Sequence, residues 1–206
     1  NKSTGKKIVV SFPYSNLVLH YPLIRINFMD YLTEQRKILS CSDELDSRFP
    51  GRSWNKYKGD VIVRKIIALV NSHLPQNFVA VCPSCFVQGF PTEIDAVVVS
   101  RSCQPIQGTN AYAAKNVVLA IEIKKFGFYC KQSENLVWIT RYFEPFRKLG
   151  VPFLYITIRE GKRKIEDTKG VLKESAFFLA ERKPGQLLVG EWERFITKIS
   201  TFTAIA

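Results

Sequence analysis

Nine consecutive residues, Val117-Val118-Leu119-Ala120-Ile121-Glu122-Ile123-Lys124-Lys125, restrict what this chain can fold into. A β-branched and aliphatic run this short reads as a central strand buried on both faces. Charge has no ordinary place in such a strand, yet Glu122 and Lys124 stand near its end. Side chains alternate along a strand, so these two point to one face. A second apolar run upstream, Ile94-Asp95-Ala96-Val97-Val98-Val99, is also entered through acids, Glu93 and Asp95, again two apart and on one face. If the two strands pair, three carboxylates and a lysine meet at one edge of a sheet. Isolated buried charge is costly, so such a cluster implies pairing or a metal.

An acid at the start of one strand, followed by Glu-x-Lys in the next, resembles the PD-(D/E)xK nucleases, the restriction-endonuclease-like superfamily. Pro91-Thr92-Glu93-Ile94-Asp95 stands for the first half-motif and Glu122-Ile123-Lys124 for the second. The Pro-Asp pair is not intact, because Ile94 precedes the acid. The resemblance covers Trp54 to about Glu160. It implies an α/β fold, a mixed β-sheet flanked by helices with core order α-β-β-β-α-β. It also implies a Mg²⁺-dependent endonuclease that hydrolyses phosphodiester bonds, with DNA the expected substrate and Mn²⁺ a substitute ion.

Under that resemblance Asp95 and Glu122 are catalytic metal ligands, the backbone carbonyl of Ile123 completes the set, and Lys124 orients or polarises the attacking water. Two or three acids from neighbouring strands suffice for Mg²⁺, which prefers carboxylate oxygens and keeps several waters. Glu93 would bind a second ion or nothing. Many members add an acid on the first helix; the one available is Asp60, at a position where an acid also serves as cap or dipole partner. Val63 and Arg64 occupy the turn where the usual glutamate would stand. Lys131 and Gln132 open the helix after the motif strand, where some families place a Gln or a basic residue facing the site. Lys125 and Lys131 are the expected nucleic-acid contacts. The bland alternative is a structural ion pair between Glu122 and Lys124. A second alternative is a non-catalytic nucleic-acid-binding or assembly protein that keeps the fold and has lost the metal site.

Periodicity supplies the rest of the architecture. Residues 1 to 53 read as an extension packed on the core, and residues 54 to 206 as the nuclease-like domain with a C-terminal elaboration. In the extension, Lys6 to His20 reads as a strand or hairpin and Ile24 to Leu39 as a helix, with an acidic loop from Cys41 to Asp46 before Phe49-Pro50-Gly51. Gly59 to Leu74 is the clearest helix, with Val63, Ile66, Ile67, Val70 and Leu74 on one face and Pro75 beyond it. Phe78 to Val87 reads as a strand, Glu93 to Val99 as the next, and Arg101 to Lys115 as a polar loop. Gln132 to Leu149 reads as a helix that Pro145 kinks or stops. Val151 to Ile158 is a further strand and Val171 to Ala180 a further helix, with turns at Gly161 to Lys164 and Pro184-Gly185 and a last segment from Gln186 to Ile199.

Charge supports the same reading. The 206 residues carry 30 Lys and Arg against 18 Asp and Glu, a net +12. That is the footprint of a protein that meets phosphate backbones, although a merely basic soluble protein would share it. Basic residues near the motif strand (Lys124, Lys125, Lys131, Arg141, Arg147, Lys148) interleave with Phe126, Phe128, Tyr129 and Trp138. No apolar run reaches the ~18 residues of a membrane span. Five cysteines, an odd count, fit a reducing intracellular compartment, cytoplasmic or nuclear. Cys82-Pro83-Ser84-Cys85 has the spacing of half a zinc or iron–sulfur site that Cys103 and Cys130 would complete, but buried unligated cysteine is the commoner outcome. His20 and His73 have no partner motif. A cutter of duplex DNA needs two sites, which implies a homodimer or larger assembly.

Overall fold

A computed structural model of the chain describes residues 28–126, 143–159, 175–181 and 186–206. The expectations placed on Lys6 to His20, on Lys131 and Gln132, on Cys130 and on the turns at 161–164 and 184–185 lie outside these residues.

Helix α1 spans Phe28–Arg48. The acidic stretch from Cys41 to Asp46 is therefore helical, not a loop. Its spacing explains the correction. Gln35, Ile38, Ser42 and Leu45 are buried at three- and four-residue intervals, so the inward stripe runs straight through the acids. Gly51 turns the chain with φ 94°, a left-handed conformation that suits glycine. Helix α2, Asn55–His73, begins four residues before the expected Gly59 and buries Ile62, Val63, Ile66, Ile67 and Val70.

Strand β1 is Phe78–Val81, β2 Phe86–Val87, β3 Ala96–Ser100, β4 Ala111–Tyr112 and β5 Val117–Phe126. The single strand expected over Phe78 to Val87 is broken, because Pro83 lacks the N–H a ladder needs and Ser84 turns with φ 65°. Beyond the turn β2 leaves for a separate two-residue parallel pairing with β4, inside the stretch expected to be loop. Helix α3, Glu144–Leu149, carries Pro145 in its first turn, where the missing N–H has no partner to lose, and ends at Gly150, whose φ of 69° closes the cap; the expected helix before residue 143 lies outside the described residues. Strand β6 is Phe153–Arg159 and β7 Ala176–Phe178. The latter replaces the expected helix end: Phe177 packs into the core on one face and Phe178 into that on the other, a period of two. Helix α4, Glu191–Ala204, closes the chain.

The main sheet has the order β1-β3-β5-β6-β7. The first two pairings are antiparallel and the last two parallel, so the sheet is mixed. The succession α2, β1, β3, β5, α3, β6 is the order expected of the restriction-endonuclease-like class. Helices α1, α2 and α4 cover one face, where Ile38, Ile66, Trp192 and Phe195 meet Leu119, Ile121, Leu154 and Ile156. The opposite face packs Ala120, Phe153, Tyr155 and Phe178 against Phe146 of α3 and against Ile94 and Phe90. Burying the Leu, Ile and Phe side chains among these contributes about 1.5–3 kcal/mol each.

Polar ties fix the helices to this frame. The Gln35 amide donates to the carbonyls of Leu179, at 2.5 Å, and Leu188, at 2.9 Å. Glu34 accepts from Trp192 Nε1 at 2.7 Å and joins His73 Nε2 at 2.8 Å, linking α1, α4 and α2. Asn71 of α2 acts as a strand substitute on the outer side of β1: its Nδ2 donates to the Ala80 carbonyl at 3.0 Å and its Oδ1 accepts from the Ala80 N–H at 2.8 Å. No described helix is long and apolar enough to cross a membrane.

Candidate active site

Strands β3 and β5 pair with Ala96 opposite Ile121, and one further step of that antiparallel register sets Asp95 against Glu122. The local backbone holds them there. The Ile123 N–H donates to Asp95 Oδ2 at 2.8 Å, and the Asp95 N–H hydrogen-bonds the Glu122 carboxylate. Lys124 follows on the same face and bridges both acids. Its Nζ makes an ion pair with Glu122 Oε1 and lies 3.4 Å from Asp95 Oδ2.

The three side chains form a gradient from core to surface. Glu122 is 3% exposed, Asp95 24% and Lys124 38%. Burial pushes the Glu122 carboxyl up to about 7, and the nearby Asp95 charge adds to it, against the pull of Lys124. Burial alone would depress the Lys124 ammonium, but Glu122 and Asp95 outweigh it and hold its pKa above the usual range. Lys124 therefore remains a cation at neutral pH and acts as a hydrogen-bond donor, not as a base.

The other expected residues are dispersed. Glu93 is exposed and accepts from Ser84 Oγ at 2.5 Å, so the cluster holds two carboxylates and not three. Asp60 is half-buried in the second turn of α2, and among the described residues no hydrogen bond or ion pair joins it to Asp95, Glu122 or Lys124. Lys125 is the clearest displacement. Alternation sends it to the opposite face, where it pairs with Asp46 of α1 and is 21% exposed. Ile123 lies between Glu122 and Lys124 and pairs with Ile156 of β6.

Sequence reasoning missed the anchoring of α1. Asp46 takes a second lysine, the buried Lys58 of α2, at 3.1 Å, and its two ammonium partners outweigh burial to hold its pKa below the usual carboxylate range. Arg159 at the end of β6 grips Asp43 through both carboxylate oxygens at 2.7 and 2.8 Å. The signal lies in the helical stripe, which continues through Ser42 and Leu45 and sets Asp43 and Asp46 on the flanks.

Cys41, Cys82, Cys85 and Cys103 are free thiols. Cys85 donates to the Val81 carbonyl at 3.3 Å, and burial with the neighbouring Cys82 pushes its pKa up to about 11. Among the described residues no group of three or more His, Cys, Asp and Glu is disposed to hold a metal. Asp95 and Glu122 still offer two hard carboxylates beside a backbone carbonyl, a donor set suited to a Mg²⁺ that keeps several waters. A dication there would also relieve the penalty that burial and Asp95 impose on Glu122.

No family model and no curated protein matches the sequence. Among solved structures, NucC of P. aeruginosa in its cAAA-bound form is similar to this chain with a TM-score of 0.49 and 15% identity, over 66% of this chain and 64% of that one. NucC of E. coli is similar in its cAAA-bound form, with TM-score 0.49 and 16% identity over 80% of this chain and 70% of that one. Its apo form has TM-score 0.47 and 13% identity over 80% and 90%. The chain thus spans slightly less than two thirds of the P. aeruginosa protein's length.

Proposed function

We propose that the protein is a Mg²⁺-dependent endonuclease acting on phosphodiester bonds, with DNA as its substrate. One observation carries the reading: Lys124 bridges a buried Glu122 and a part-exposed Asp95 at the ends of two paired strands. Asp95, Glu122 and the Ile123 carbonyl would hold the ion. When bound, it supplies a polarised water and charge relief for the phosphorane-like transition state. Lys124 keeps its proton, so its part is to orient the attacking water and to face developing negative charge. The net charge of +12 favours approach of a polyanion.

A second reading has its own support. Lys124 already pairs with both carboxylates, and an ion cluster of this kind is also what a non-catalytic nucleic-acid-binding relative would keep. Incubation with plasmid, single-stranded DNA and RNA, with Mg²⁺ or with chelator, separates the two. Metal-dependent cleavage of DNA that Glu122→Gln abolishes supports the nuclease. Binding without cleavage by the wild type supports the alternative.

A further inference from the structure

The turn between α1 and α2 carries rings that the core only partly uses. Phe49 packs against Trp54 with centroids 5.1 Å apart and meets Tyr57 edge-on at 5.1 Å, while Trp54 and Tyr57 are 6.2 Å apart. Phe49 leans on the core, whereas Trp54 and Tyr57 are 45% and 47% exposed, more than any other aromatic side chain among the described residues. Arg52 and Lys56 flank them and are exposed; Arg48, also exposed, pairs with Glu44.

Position gives the cluster meaning. Asp46, three residues before Phe49, is bound both by Lys58 and by Lys125, the residue after Lys124. Lys58 follows Trp54 by one helical turn, about 6 Å along the axis. The rings therefore stand at the end of the sheet that carries Asp95, Glu122 and Lys124, on the side of α1 and α2, so a strand lying on them would reach the centre by passing over that end. A duplex hides the faces of its bases, but an unpaired base offers a π-face to an aromatic ring and carries its phosphate within reach of neighbouring cations. A purely apolar protein surface would gain nothing from the cationic rim.

We propose that Trp54 and Tyr57 form a stacking platform for an unpaired base of single-stranded nucleic acid leading to the Asp95–Glu122–Lys124 centre. The platform rests on the nuclease reading only for what then happens to the strand. The test is anisotropy of a labelled twelve-residue oligo-dT and of a duplex of equal length, in chelator so that nothing is cut. Trp54→Ala with Tyr57→Ala should weaken oligo-dT binding about tenfold or more, and duplex binding much less. The slope of affinity against salt should stay unchanged, because the cations remain. Arg52→Ala with Lys56→Ala should instead reduce that slope, by about 0.7 for each phosphate no longer neutralised. Trp54→Phe should bind within about threefold of wild type, since a ring remains. Should the double variant fail to fold, Trp54→Ala alone, which leaves the Phe49–Tyr57 pair in place, is read by the same criteria.

Equal loss on both probes, or loss of less than twofold on oligo-dT, overturns the platform. So does a wild-type dimer in sedimentation that the double variant dissolves, since the rings would then cover a second copy. A protein that binds oligo-dT through the rings but cuts nothing in Mg²⁺ keeps the platform and ends the nuclease reading. One that cuts DNA, and whose double variant binds and cuts equally well, ends the platform alone.

Discussion

Lys124 sets a single ammonium between Glu122 and Asp95. Its substitution by alanine should abolish Mg²⁺-dependent cleavage while leaving duplex affinity nearly intact, because the proposed role is in the reaction and not in binding. A rate within about tenfold of wild type, about 1.4 kcal/mol, would remove Lys124 from the water-orienting role. Cys85 gives a contrasting test of the same principle, that environment sets reactivity. Its thiol is buried and its pKa is pushed up to about 11, so iodoacetamide at about pH 8 should label it far more slowly than the partly exposed Cys103. Mass mapping of the alkylated peptides reads the order directly, and equal labelling would contradict the buried geometry.

Helix α1 is held to the sheet by polar groups at both flanks as much as by its apolar stripe. Replacing Gln35 with leucine would take one donor from each of the Leu179 and Leu188 carbonyls, which keep the backbone N–H groups of Leu188 and Glu191, and should destabilise the fold by about 0.5–1.5 kcal/mol for each hydrogen bond lost, measured by urea denaturation. This scale also shows what the sequence could and could not disclose. The Glu122–Lys124 strand and the α2 helix are legible because their periods are unbroken over many residues. Asp95 is legible because alternation places it, with its partners, on one face. The helical nature of Cys41 to Asp46 is hidden because acid-rich composition resembles a loop, and the cations that stabilise it, Lys58, Lys125 and Arg159, are remote in sequence. The end of β1 at Val81 is announced by Pro83 just beyond it, but an apolar run on either side masks it. Strand β7 escapes such a reading because a short apolar run fits both periods, and only its place beside β6 decides between them.

For the molecule as a whole, the burial of Glu122 couples the site to the fold through a proton. The folded state holds the Glu122 proton to about pH 7, against 4.5 for an ordinary glutamate. In chelator this contribution to stability is fully present below 4.5 and is lost as pH rises through 7. Thermal melts of wild type and Glu122→Gln should therefore diverge between those values, wild type losing ground as pH rises; parallel curves would count against a buried titrating carboxyl. Mg²⁺ or Mn²⁺ should raise the wild-type melting temperature, by an amount equivalent to about 2.7 kcal/mol at a hundredfold excess over Kd. Asp95→Asn with Glu122→Gln should lose both that shift and cleavage while keeping the fold, and a wild type indifferent to millimolar metal would remove the ion from the site.

The side-chain amide of Asn71 has a further consequence. By occupying the outward N–H and C=O of Ala80, it interrupts the row of donors and acceptors along β1, a border strand of the described sheet, on which a foreign strand could template itself. The fold thus carries its own guard against fibrillar growth along that border. Asn71→Ala should expose it, and light scattering at raised temperature would register the protein's turn toward β-rich aggregates well before its melting point changes.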